Sequence, residues 1–142
     1  MFNPSRQEVR QFFCGTWHKH LHGHILSPLE AMALGWLQQH PEYHALLANE
    51  EAALTQEFTV HDGQTNPFLH LSMHLSIAEQ ISVDQPHGIR DAYVALAQKL
   101  GSEHDAHHRI MDCLGAMLWT AQQNRCEPDG NAYLACIQRQ TK

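Results

Sequence analysis

Hydrophobic residues recur along most of the chain at the three- and four-residue spacing of an amphipathic α-helix. The first such stripe follows Ser5 and Glu8, which form the Ser-x-x-Glu pattern of a capping box. Its members are Val9, Phe12, Phe13 and Trp17. Because no segment alternates between apolar and polar residues as a half-buried strand does, the pattern predicts an all-α protein.

Helix start and stop signals divide the chain further. Ser27 and Pro28 open a second helix, Pro41 separates it from short helical pieces, and Asp62-Gly63 is a turn. The later helices are predicted from Pro67 to about Ile81, from Ile89 to Leu100, from Ser102 to about Gln123, and after the turn at 128–130. The sequence therefore predicts a single-domain helical bundle over residues 1–142, with about five to seven helices, several of them short.

Composition narrows the partners and the compartment. Hydrophobic residues make up 43% and charged residues 17%, which is typical of a globular protein. The net charge of -6 disfavours nucleic acid as a partner, and no apolar run is long enough to predict a membrane span. The start of the chain does not resemble a secretory signal, so we expect a cytoplasmic protein whose thiols are reduced. Cys14 and Cys113 lie in helical apolar patterns and are expected to pack as small buried hydrophobic residues. A homo-oligomer is compatible with these features.

Thirteen histidines in 142 residues are the unusual feature of this composition. On the helix that begins at Pro67, His70 and His74 lie one turn apart, about 40° from each other, in the middle of the apolar arc. A buried imidazole needs partners for its ring nitrogens, and a shared metal ion would serve both rings. The alternative is that each ring bonds a backbone carbonyl or another side chain.

A second pair lies on the helix that begins after Ser102. His104 and His108 are again four residues apart, and Asp112 continues the same row as a further ligand or as an orienting carboxylate. His107 lies instead near the centre of the apolar arc of this helix. Two interpretations stay open: the pair His104 and His108 provides ligands, or His107 is the single inward ligand.

Two more groups of histidines have a weaker pattern. His40 and His44 repeat the spacing of four, but Pro41 lies between them, so the two rings need not be parallel. His40 is expected at a helix cap or in a last turn. Either histidine is a candidate ligand, and His44 is the possible fifth member of the predicted set. The alternating run His18, His20, His22 and His24 is a spacing that spreads side chains around a helix, which is typical of a solvated helix end.

These patterns predict an interior multi-histidine site for a transition metal, either iron or zinc. Its role would be sensing, storage or redox chemistry. One alternative is a zinc-dependent hydrolase or transferase in which an open position activates water. Another is an interaction module without metal, whose histidines form core hydrogen bonds or a pH switch.

Several segments resemble one bacterial family of unknown function, the domain-of-unknown-function family numbered eighteen forty-one. The distinctive segment is the run from Asn66 to His74, NPFLHLSMH. Further similar segments are Asn3 to Arg6, His40 to His44, Asp84 to Pro86, Gly88 to Arg90 and Met111 to Gly115. The resemblance covers nearly the whole chain and implies a small bacterial cytoplasmic protein, but it implies no activity. It favours His104 and His108 over His107 as ligands.

Overall fold

A computed structural model describes residues 5–58 and 66–142 of the chain. Every regular element in these two ranges is helical, so the predicted all-α fold class is confirmed. The turn predicted at Asp62-Gly63 lies outside the described residues. The α-helices are α1 (Arg6–Leu21), α2 (Pro28–Gln38), α3 (His44–Ala48), α4 (Glu50–Thr55), α5 (Pro67–Val83), α6 (Ile89–Leu100), α7 (Glu103–Asn124) and α8 (Gly130–Gln140), with a 3₁₀ turn at Pro41–Tyr43.

Local side chains fix where these helices begin. Ser5 and Ser27 each form a complete capping box, in which the serine accepts from the backbone of the glutamate three residues later and that glutamate accepts from the serine backbone. The Ser102 side chain accepts from the Asp105 backbone N–H at the start of α7. Such caps are worth about 1 kcal/mol each. None of the helices in the described ranges is both long enough and apolar enough for a bilayer crossing.

The chain divides into two compact units, Met1–Leu75 and Ser76–Lys142, with the division inside α5. In the first unit α1 packs against α2, α3 and α4. Its hydrophobic core consists of Phe13, Cys14, Trp17, Ala33, Leu37, Leu47, Ala53, Phe68, Leu71 and Leu75. The first part of α5 contributes the last three of these residues, so the apolar face that carries His70 and His74 belongs to this core.

A buried arginine joins α1 to the end of α4. Arg10 is only 2% exposed, and its Nη1 donates to the carbonyl oxygens of Ala53 at 2.8 Å and Gln56 at 2.7 Å. The guanidinium also lies over the rings of Phe58 and Phe68, 5.6 and 5.2 Å from their centroids. Burial is the main cause that lowers the pKa of Arg10. These carbonyls and aromatic faces compensate part of the desolvation of the charge.

In the second unit α6, α7 and α8 pack against one another. The Tyr133 hydroxyl on α8 donates to Oε1 of Gln80 on α5 at 2.7 Å, and burial raises the pKa of this tyrosine. A disulfide between Cys113 and Cys136 joins α7 to α8. The expectation that the thiols are reduced, with Cys113 a free buried thiol, is therefore wrong for this pair. Sequence spacing gave no sign of the bond, because its partners are 23 residues apart on different helices.

The segment between α5 and α6 is held by Asp84 and Arg90. Oδ1 of Asp84 accepts from the backbone N–H groups of Gly88 at 3.1 Å and Arg90 at 3.0 Å. These hydrogen bonds lower the pKa of the Asp84 carboxyl, the bond from Arg90 most of all. The Arg90 guanidinium in turn donates to the last carbonyls of α5, those of Ile81 and Ser82. Asp84 and Arg90 thus have a structural role in ending one helix and starting the next.

Candidate metal centre

Three imidazoles of the first unit converge through the same ring nitrogen. Nε2 of His70 lies 3.2 Å from Nε2 of His40 and 3.1 Å from Nε2 of His74. His74 is fully buried and His40 is 4% exposed, whereas His70 is partly buried. His70 and His74 face each other because they are one helical turn apart on α5. His40 joins them from the segment between α2 and the 3₁₀ turn.

Neighbouring groups fix the orientation of the two buried rings. The His74 ring stacks on the indole of Trp36, with centroids 4.2 Å apart and planes 12° from parallel. The His40 ring stacks on Tyr43, and Nδ1 of His40 lies 2.8 Å from the carbonyl oxygen of Trp36. Because only a protonated Nδ1 can donate to that carbonyl, a neutral His40 carries its lone pair on Nε2. This is the common arrangement of a histidine ligand whose other nitrogen is held by the protein.

The separations between these nitrogens match those of ligands on one ion. Two nitrogens each about 2.0–2.1 Å from a metal, at angles between 90° and 110°, lie roughly 2.9–3.4 Å from each other. A hydrogen bond between two imidazoles uses one proton and joins only one pair of nitrogens. Nε2 of His70 instead lies close to two nitrogens, that of His40 at 3.2 Å and that of His74 at 3.1 Å. A metal ion accepts all three lone pairs at once, and one ligand atom of His40 lies within 4.8 Å of one of His74, so this donor set suits a transition metal by its chemistry.

The second unit carries its own imidazole pair on α7. Nε2 of His104 lies 3.1 Å from Nε2 of His108, and both side chains are partly buried. The ring centroids are 4.4 Å apart at 74°, an edge-to-face arrangement that aims both nitrogens at one point. The Nε2 separation falls within the range that two ligands of one ion require.

His107 has a different environment from this pair. Its side chain is 2% exposed, and its ring meets the edge of the Tyr93 ring at 5.8 Å. Burial, followed by the nearby His104 and His108, lowers the pKa of His107 to about 3. His107 is therefore a neutral, buried histidine at physiological pH, and its position in the apolar arc of the helix agrees with this burial.

Two other residues predicted as ligands lie elsewhere. Nε2 of His44 donates to the Leu37 carbonyl oxygen at 2.7 Å, and the His44 ring stacks on Trp17 at 4.2 Å. Asp112 is exposed on the surface of α7. The structure thus groups His70 and His74 in one unit and pairs His104 and His108 in the other, and it does not add His44 to the first group.

His40 is the member of the group that the site prediction omitted. The spacing of four between His40 and His44 singled out both residues, but it could not tell which ring turns towards α5. His40 directly precedes Pro41 and lies between α2 and the 3₁₀ turn, with φ -125° and ψ 66°, so helical spacing does not fix the direction of its ring. The usable signal was the position of His40 directly before a proline at a helix end.

The chain matches the family described as Domain of unknown function (DUF1841) over residues 5–139. It belongs to this family. Neither the curated proteins nor the solved structures include a significant match to the chain. Membership confirms the resemblance found in the sequence, and it assigns no activity.

Proposed function

We propose that this member of the DUF1841 family is a metal-binding protein whose ligands are histidines of both units. His40, His70 and His74 are the ligands from the first unit, and His104 and His108 are those from the second. The observation that carries the proposal is the convergence of three Nε2 atoms at 3.1 and 3.2 Å, with two of the three rings almost completely buried.

Zinc is the metal that this donor set favours. All the proposed ligands are neutral imidazoles, which suit zinc, whereas non-haem iron sites usually include a carboxylate. Asp112, the carboxylate of the predicted ligand set, is exposed. Zinc has no redox chemistry, so among the roles considered we propose sensing or storage rather than redox chemistry.

The burial of the ligands favours a retained ion over an open catalytic one. His40 and His74 are 4% and 0% exposed, and the rings of Tyr43 and Trp36 cover their faces. A hydrolytic zinc site keeps a position open for water and substrate. The enclosed environment in the first unit therefore supports a metal that is held for long periods.

Metal content tests the proposal directly. The full chain, prepared without a nickel column, is expected to contain stoichiometric zinc by plasma mass spectrometry. The His74→Leu variant should lose that metal, because the substitution removes a ligand and puts an apolar side chain of similar size in its place. His44→Leu is the matched control, since His44 is also a partly buried, stacked histidine of the first unit. Metal-free wild-type protein that also fails to bind added zinc, or equal metal content in both variants, would overturn the proposal.

The second pair has its own control. We expect His104→Leu and His108→Leu to lower zinc content, and His107→Leu, which changes a buried histidine of the same helix, to leave it unchanged. The zinc content of the double variant His74→Leu, His108→Leu is measured beside that of the two single variants, and additive losses are the result expected if the two sets of ligands act independently.

We also propose that the protein is a bacterial protein without a nucleic-acid partner. The net charge of -6 supports the last point, because phosphate binding needs a basic surface. A cytoplasmic location is the one that the family resemblance implies, and the Cys113–Cys136 bond would be unusual there. The proposal also allows a homo-oligomer, and sedimentation of the zinc-loaded chain measures the oligomeric state.

A further inference from the structure

The end of α1 gathers three exposed imidazoles. The ring centroids of His18 and His22 are 4.1 Å apart, and the ring of His24 lies 6.2 Å from that of His18 and 6.0 Å from that of His22. All three side chains are exposed. The alternating run therefore does not spread its rings evenly around a helix; three of its four histidines meet on one side.

The way α1 ends explains why His24 returns to this side. The helix stops at Leu21, and Gly23 adopts the left-handed conformation with φ +69°. The backbone N–H of His24 then donates to the Lys19 carbonyl at 2.8 Å, and that of Gly23 to the His20 carbonyl at 3.3 Å. This is the hydrogen-bond pattern of a glycine C-cap, which folds the chain back over the last helical turn.

One of the three rings is already oriented for ligation. Nδ1 of His22 lies 2.9 Å from the His18 carbonyl oxygen, to which it donates. The lone pair of a neutral His22 ring is therefore on Nε2, on the outer edge of the imidazole. In metal sites the second ring nitrogen of a ligand histidine usually donates to a backbone carbonyl, a carboxylate or water, as Nδ1 of His22 does here. The carbonyl end of α1 also carries partial negative charge, which favours a cation there.

We propose that His18, His22 and His24 form an exposed binding site for a divalent transition-metal ion, of the class Cu²⁺, Ni²⁺ or Zn²⁺. The site is independent of the buried histidines of the proposed function. With the metal about 2.0–2.1 Å from each nitrogen, ring centroids of neighbouring ligands lie roughly 4.5–5.5 Å apart. The observed separations lie outside this range, that of His18 and His22 below it at 4.1 Å and those of His24 above it at 6.0 and 6.2 Å. Ligation therefore requires rotamer changes, in which the first two rings separate and the ring of His24 approaches them; all three side chains are exposed and have room to turn.

Three nitrogens leave further coordination positions to water, so the ion at this site exchanges with solvent. Cu²⁺ is the best probe, because imidazole sites bind it most tightly among these ions. The chelator-treated full chain is titrated with Cu²⁺, and the bound ion is examined by electron paramagnetic resonance. Wild-type protein is expected to bind one Cu²⁺ more per chain than the double variant His22→Ala, His24→Ala. The spectrum of that additional ion should show coupling to three nitrogens.

The matched control is His20→Ala, because His20 belongs to the same run but its ring lies against Trp17, 5.2 Å between centroids. It should bind Cu²⁺ as wild type does, whereas His24→Ala alone should weaken this site at least tenfold. His24 lies after the helix and is exposed, so its replacement leaves the fold intact. The same site should persist in His74→Leu. Equal Cu²⁺ binding by wild type and the double variant, or an equal loss in His20→Ala, would overturn the proposal.

Discussion

At the scale of the residue, the same imidazole side chain serves different purposes in different surroundings. His107 is neutral because burial lowers its pKa to about 3, and His44 is held by a carbonyl and an indole. His40, His70 and His74 instead turn the same nitrogen towards one another. Helical spacing identifies candidate ligands, but the partner of each ring nitrogen decides which of them is suited to bind a metal.

Arg10 offers a test of a buried charge. Arg10→Met should lower the free energy of unfolding by about 2–4 kcal/mol. The substitution removes the charged donor shared by the carbonyl oxygens of Ala53 and Gln56, and it leaves the Ala53 oxygen inside the core without that hydrogen bond. Chemical denaturation measures the change. Arg6→Met, an exposed change on the same helix, is the control and should alter stability by less than about 0.5 kcal/mol. Equal stability of the two variants would contradict this account of Arg10.

Glu30 gives a pH-dependent contribution to stability. Its pKa is lowered, first by the hydrogen bond from the Ser27 backbone and then by the Lys19 ammonium 2.9 Å away. A carboxyl with a lowered folded-state pKa stabilises the fold above its unfolded value near 4.5, and this contribution is lost as the pH falls through the folded value.

We expect Glu30→Gln to lower stability at pH 7 by less than about 1 kcal/mol, because the ion pair is partly solvated while glutamine preserves the capping box. The difference from wild type should shrink as the pH falls from about 5 to 3. Denaturation at several pH values measures it. Glu8→Gln makes the same substitution in the capping box of α1 and is measured beside it. If the stability difference between Glu30→Gln and wild type were constant with pH, the lowered pKa assigned to Glu30 would be contradicted.

At the scale of the element, a glycine inside α1 and a glycine directly after it should respond oppositely to alanine. Gly23→Ala should cost about 1 kcal/mol, because its φ of +69° disfavours a Cβ although there is space for one. Gly15→Ala should stabilise by about 0.5–1 kcal/mol, because Gly15 lies inside the helix and its Cβ also meets open space. Thermal unfolding of both variants checks the signs, and the same sign for both would contradict the C-cap described for Gly23.

The disulfide between α7 and α8 predicts a redox-dependent stability. Reduction, or Cys136→Ser, should lower the free energy of unfolding by roughly 3 kcal/mol, since the bond closes a loop of 23 residues. Cys126→Ser is the control, because Cys126 is free and exposed and should leave stability unchanged. Denaturation with and without reductant measures the effect; no response of the wild-type chain to reductant would contradict the bond.

The helices could be predicted from the sequence because their signals are local. Ser5, Ser27 and Ser102 each cap a helix within three residues, and the predicted span Ile89–Leu100 is the observed α6. Pairings between distant residues could not be predicted in this way. The contact of His40 with His70 and the bond between Cys113 and Cys136 depend on how separate helices pack, which periodicity does not encode.

At the scale of the whole molecule, a bound metal contributes its binding free energy to folding. The sequence predicts the fold class and two of the three converging histidines, His70 and His74. Whether metal also stabilises the chain is a thermodynamic question. A ligand at a hundred times its Kd adds about 2.7 kcal/mol, provided that only the folded state binds it.

We therefore expect a chelator to lower the Tm of wild-type protein, and added zinc to restore it in proportion to the logarithm of its concentration. Calorimetry with and without zinc measures the shift. His74→Leu should show a smaller zinc-dependent rise in Tm than wild type, because it removes one of the three proposed ligands of the first unit and leaves His104 and His108 in place. An unchanged wild-type Tm after complete removal of metal would contradict a structural contribution from the ion.

The stacking of Trp36 on His74 gives the protein a built-in optical reporter. The indole lies 4.2 Å from the imidazole and nearly parallel to it, so an ion on that imidazole sits within a few ångströms of the fluorophore. Open-shell ions such as Co²⁺ or Cu²⁺ quench emission at this range, whereas closed-shell Zn²⁺ does not. The part of the emission that Trp36→Phe removes therefore reports which kind of ion occupies the interior. It is best measured in the double variant His22→Ala, His24→Ala, because Trp17 lies beside the proposed surface site and would also respond to an ion there.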